Sequence, residues 1–137
     1  MQKLGITREY FRDSLRHSLL ITLFGVIVLT LVGFVTGFKN FSLSAGWLLF
    51  YLIVSVPFQE LLFRGILQTR LYKIGKLKAV VLSSAVYAII HLGTPLLVAL
   101  TMAAGLAWGY SFMKKPNLFG PVLSHSILGV YLFALIL

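Results

Sequence analysis

The stretch Val56-Pro57-Phe58-Gln59-Glu60-Leu61-Leu62-Phe63-Arg64-Gly65 decides how the chain reads. It sets a carboxylate and a guanidinium inside a run otherwise apolar enough to cross a membrane. Glu60 is the sole acidic residue after Asp13. A charge at bilayer depth is costly, turns toward the interior of a helix bundle, and marks function by default. Glu60 and Arg64 stand four residues apart, so on a helix they share a face and can pair. Read alone, this is also the pattern of a buried ion pair that locks two helices together.

Composition agrees with a membrane setting. Of 137 residues, 59% are hydrophobic and 11% charged, whereas an ordinary soluble domain carries about 25% charge. Mean hydropathy is +0.97. The chain therefore reads as all-α, a polytopic transmembrane helical bundle of about five spans. It has no cysteine, which excludes disulfides and thiol catalysis. The net charge of +9 comes from residues that flank apolar runs. That placement fits topology signals and anionic lipid headgroups, so membrane lipids are expected partners and nucleic acid is not.

Outward from the central stretch, the chain divides into two blocks, 1–16 and 17–137. Lys3, Arg8, Glu9, Tyr10, Phe11, Arg12, Asp13, Leu15 and Arg16 suggest a cytoplasmic amphipathic segment lying on the membrane surface. His17–Phe38 is the first span. It follows charge without a small-residue cleavage site and reads as an anchor rather than a signal peptide. His17, among arginines, reads as interfacial. A short loop around Lys39-Asn40-Phe41-Ser42 leads to a second span over about 43–68. Pro57 removes a backbone donor there and should bend the helix. The third span, about Ala79–Leu92, is stopped by Gly93-Thr94-Pro95. Its fourteen residues make about 21 Å of helix, so it either extends back through the basic loop or ends inside the membrane beside a cavity. Spans of about 96–113 and 118–137 complete the chain, the former with Gly105 and Gly109 spaced for close helix packing.

Lysines and arginines fall on alternate loops. Four precede the first span, four lie between the second and third, and two between the fourth and fifth, with only Lys39 opposite. The positive-inside rule places the N-terminus in the cytoplasm, and a prokaryotic plasma membrane is the expected setting. Counted from those basic borders, Glu60, His91 and His125 lie about 15, 20 and 15 Å deep at 1.5 Å per residue. Three polar groups on three spans thus meet near one level. A glutamate and two histidines suffice to activate a water and protonate a leaving amine. The same trio could hold a divalent metal such as zinc with a position open for water. A proton or ion relay is a third use.

These residues resemble the CAAX-protease and bacteriocin-processing family of intramembrane proteases, also called CPBP or Abi. Its first motif, Glu-Glu-x-x-x-Arg followed by Gly, is met by Gln59-Glu60-Leu61-Leu62-Phe63-Arg64-Gly65 from the second glutamate onward. Its second, Phe-x-x-x-His, is met by Tyr87-Ala88-Ile89-Ile90-His91 with Tyr for Phe. Its last, His-x-x-x-Asn or a similar polar residue, reads His125-Ser126-Ile127-Leu128-Gly129. The resemblance covers about 43–137.

The resemblance implies that His91 assists the water, His125 holds the oxyanion or metal, and Arg64 fixes the Glu60 carboxylate. In the family the first glutamate of the pair is taken to activate water, and here that position is Gln59, whose carboxamide is no general base. Glu60 could replace it only if the helix were distorted, since neighbouring helix positions differ by about 100°. Gly129 removes the polar side chain expected at the oxyanion. The reading that follows is an endopeptidase cleaving a peptide or membrane-protein substrate in or at the membrane, reached from the cytoplasmic side. The alternative is a relative without strong catalysis, serving binding, bacteriocin immunity or assembly. Nothing in the sequence marks a prenyl-binding groove or an oligomeric state.

Overall fold

The computed structural model describes residues 4–39 and 42–136 and is all-helical among them. Lys3, Asn40 and Phe41 of the sequence expectations, with residues 1, 2 and 137, lie outside the described residues. Five helical rods follow in order: α1 Phe11–Thr36, α2 Ala45–Ile74, α3 Lys76–Ile89, α4 Pro95–Lys114 and α5 Phe119–Leu135. Helices α1, α2 and α4 are long and apolar enough to cross a membrane, and α5 is a shorter apolar helix. Together with its family (below), this makes the chain an integral membrane protein.

Two boundaries differ from the sequence reading. Phe11–Arg16 is the first part of α1, and no separate surface helix precedes it among the described residues. The reason is an internal partner: Ser14, on that first turn, is fully buried and donates to the Asn117 carbonyl at 2.9 Å. Helix α3 starts earlier, at Lys76, and still has only 14 residues, so it stops at Ile89 inside the bundle. His91 sits in the turn that follows, before Thr94 caps α4 by accepting from the Leu97 N–H at 3.2 Å.

Helix α2 runs unbroken through Pro57. It is wound as π-helix over Tyr51–Ser55 and Leu61–Gln68, with a short α-helical stretch, Val56–Glu60, between. Proline has no N–H to give and crowds the carbonyl four residues back. The wider winding answers this locally: the Val56 N–H reaches back five residues to the Tyr51 carbonyl. Such segments are uncommon and gather at functional sites.

Packing runs in two pairs, α1 along α5 and α3 along α4, with α2 against both. On α1, Ser14, Ser18, Thr22, Leu29 and Gly33 form the buried stripe. Thr22 donates to Ser124 Oγ at 2.8 Å, and Trp108 Nε1 donates to the same oxygen at 2.9 Å, tying α1, α4 and α5 together. In a membrane, close packing of small residues and such bonds replace the hydrophobic drive. Gly105 and Gly109 do this for the other pair. A Cβ at Gly105 would lie 3.1 Å from Ser84 Cβ, and one at Gly109 would lie 3.0 Å from Gln68 Oε1. Gln68 is itself fully buried and donates to the Gly109 carbonyl at 2.9 Å.

The basic end of the bundle is closed by residues 4–10. Asn117 donates to the carbonyls of Thr7 at 2.6 Å and Glu9 at 3.1 Å, and the Leu118 N–H donates to the Gly5 carbonyl at 3.0 Å. Gly5 has φ 76° and sits tight against the Phe112 ring, a conformation and space that favour glycine. A Gly105→Val exchange should therefore lower stability by about 1–3 kcal/mol through overpacking. Gly46→Ala, where a Cβ meets nothing within 4 Å, should stay within about 0.5 kcal/mol. Equilibrium unfolding in mixed micelles checks both.

Candidate active site

The site is built on α2. Tyr51, Ser55 and Gln59 repeat at intervals of four and all line one cavity. Gln59 Nε2 donates to Ser55 Oγ at 2.9 Å, while its Oε1 is buried with no partner. The cavity is about 390 Å³ and its wall is mostly apolar, from Ile21 and Phe24 of α1 to Leu132 and Phe133 of α5. His91, His125 and Tyr87 join Gln59 on its polar side. From that level it extends toward the end of the bundle opposite the basic one.

Glu60, one residue on, faces the other way. It is fully buried and absent from the cavity wall. Its Oε1 accepts from Arg64 Nη1 at 3.0 Å and from His125 Nδ1 at 2.7 Å. The expectation that distortion near Pro57 could turn Glu60 into the cavity is thus corrected: π-winding is present, but the carboxylate is held behind the wall by two donors. Arg64 lies with Cζ 4.6 Å from the Tyr87 ring centre and 5.4 Å from that of Trp108. Guanidinium–aromatic contacts of this sort stabilise by about 2 kcal/mol when desolvated. Oε2 of Glu60 and Nη2 of Arg64 are buried without a protein partner.

His125 is fixed on all sides. A carboxylate only accepts, so Nδ1 carries the proton toward Glu60, and in the neutral ring Nε2 accepts from the Tyr87 hydroxyl at 3.1 Å. Trp108 stacks on the imidazole at 4.6 Å and 18°. His91 is half-buried, and its Nδ1 lies 2.7 Å from the Tyr87 carbonyl oxygen. A carbonyl also only accepts, which leaves Nε2 of a neutral His91 as the lone-pair nitrogen.

Of the residues the sequence singled out, Glu60, Arg64 and His125 are in direct contact, and Gln59, His91 and His125 share the cavity. Glu60, His91 and His125 do not form a metal set, because His125 spends Nδ1 on Glu60 and Tyr87 stands between the two histidines. Among the described residues no three His, Asp or Glu side chains gather closely enough to hold an ion. The donors do not fit zinc, and the chemistry below uses none. The sequence reading missed Tyr51 and Trp108. The four-residue repeat Tyr51, Ser55, Gln59 was a readable signal for the first, and Trp108 had none.

Breaking a buried pair strands its partner, which costs about 3–5 kcal/mol. Glu60→Ala should lose that much in mixed-micelle unfolding, while Gln59→Ala, giving up one neutral hydrogen bond, should lose about 1 kcal/mol.

No curated protein and no solved structure matches the chain. A sequence model of the type II CAAX prenyl endopeptidase Rce1-like family matches residues 41–131, which span Gln59, Glu60, Arg64, His91 and His125. With well over half of its length covered, the chain belongs to the Rce1-like family of type II CAAX prenyl endopeptidases.

Proposed function

We propose that the protein is an intramembrane endopeptidase, which hydrolyses a peptide bond in an apolar segment lodged in the cavity. One observation carries the reading: His91, His125 and Gln59 line the same apolar-walled space, while Glu60 and Arg64 brace His125 from behind. His91 Nε2 takes a proton from water, which attacks the carbonyl carbon. As the C–N bond breaks, His91 gives that proton to the departing amine, and His125, its Nδ1–H held by Glu60, takes the proton of the new carboxyl group at Nε2 through the Tyr87 hydroxyl. Gln59 holds the water or the substrate amide by hydrogen bonds, since a carboxamide both donates and accepts. The mostly apolar wall suits an apolar peptide, membrane anchor or lipid-bearing substrate.

By the positive-inside rule the basic end is cytoplasmic. The cavity then extends away from the cytoplasm, and residues 4–10 cover the cytoplasmic face. This favours entry from the lipid or the far side over the cytoplasmic approach that the sequence suggested. A second reading rests on Gln59 and Gly129: with no carboxylate on the cavity wall, the chain binds peptide without turning it over, as an immunity or assembly protein would.

Cleavage of a fluorogenic apolar peptide in proteoliposomes separates the two. His91→Ala and His125→Ala should each lower kcat/KM at least about 10²-fold, the usual weight of an acid–base residue. Gln59→Glu should raise it by a similar factor. Equal background hydrolysis by all four chains would defeat the peptidase reading.

A further inference from the structure

Tyr51 belongs to no motif, yet its ring is held on the cavity wall by aromatic neighbours. Its ring stacks on Trp47 at 4.8 Å and 8°, and meets Phe133 and His125 edge-on at 5.9 and 6.2 Å. The residue is 7% exposed. Its hydroxyl makes no hydrogen bond among the described residues. The oxygen itself stays accessible from the cavity, so its O–H is free to donate to a bound group. The hydroxyl lies over Gly129, where a Cβ would overlap the oxygen and come within 2.6 Å of Cζ. The ring cannot swing aside, since Trp47 and Phe133 hold it. Glycine inside a helix costs about 0.5–1 kcal/mol against alanine. Here the space it leaves is the space that the phenol fills.

We propose that the Tyr51 hydroxyl is the donor to the carbonyl oxygen of the peptide group bound in the cavity, at the post a side chain on residue 129 would otherwise occupy. The assignment rests on the peptidase reading only for its catalytic consequence. The phenol shares the cavity with Gln59, His91 and His125, so a carbonyl attacked from the His91 side can present its oxygen to Tyr51. A neutral, rigid O–H donor needs no rearrangement as charge grows on that oxygen, which is the condition for oxyanion stabilisation. Gly129 and Tyr51 form one device: the missing side chain admits the phenol, and the phenol replaces the missing donor.

The test uses the full chain, as purified and as Gln59→Glu, with Tyr51→Phe and Tyr51→Ala/Gly129→Asn in each. Two readouts run together. The first is cleavage of the fluorogenic peptide. The second is isotope-edited infrared spectroscopy of a bound, uncleavable apolar peptide ketone carrying ¹³C=O. Tyr51→Phe should melt as the parent does, lower kcat about 10²-fold with KM little changed, and move the carbonyl band back toward its unbonded position. The Tyr51→Ala/Gly129→Asn pair should recover the band shift and at least tenfold of the rate, because the asparagine amide then fills the vacated space. Tyr51 is overturned if the ketone band is identical in parent and Tyr51→Phe, or if the ketone does not bind. A band shift that depends on Tyr51 without cleavage by any chain sinks the peptidase reading and leaves the donor standing. Cleavage that ignores Tyr51→Phe does the reverse.

Discussion

The structure depends on one buried carboxylate. Glu60 has a single oxygen shared by two donors, Arg64 from its own helix and His125 from α5. Neither charge is tolerable alone at this depth, since removing either partner leaves an unpaired ion in a medium that cannot solvate it. The aromatic faces of Tyr87 and Trp108 complete the enclosure around the guanidinium. Helices α2, α3, α4 and α5 thus meet at one polar knot, and the register of each follows from it.

The knot also separates the brace from the cavity. Adjacent residues on α2 point into different surroundings: Gln59 into the cavity, Glu60 into the protein. His125 spans the two, with one nitrogen on the brace and the other on the Tyr87 hydroxyl. An imidazole held this way has its tautomer set by the carboxylate, leaving the second nitrogen for proton transfer. The π-winding of α2 keeps this arrangement in one continuous helix across Pro57 and carries Tyr51 and Ser55 onto the same wall as Gln59.

The rest of the fold serves to hold that knot between thin contacts. Small residues let α3 and α4 approach at Gly105 and Gly109, and a ladder of hydroxyls joins α1 to α5. The cavity remains because α3 stops early and α4 begins only at Pro95, so the level of His91 is not filled by helix. Asn117 and residues 4–10 close the basic end.

The amino-acid sequence alone determined the membrane setting, the number and order of the helices, and the pairing of Glu60 with Arg64. Hydropathy, glycine and proline punctuation and a four-residue spacing are local properties that do not need the third dimension. It also brought His125 to the level of Glu60, because loop charges fix where each helix enters the bilayer. Only tertiary structure decided which face each side chain took. Rotation about a helix axis is set by the neighbours packed against it, so depth could not show that Glu60 turns inward while Gln59 faces the cavity. Nor could it show that Tyr87 parts the two histidines. The fit of Tyr51 over Gly129 joins residues 78 positions apart, and only packing α2 against α5 brings a phenol to a place with no side chain.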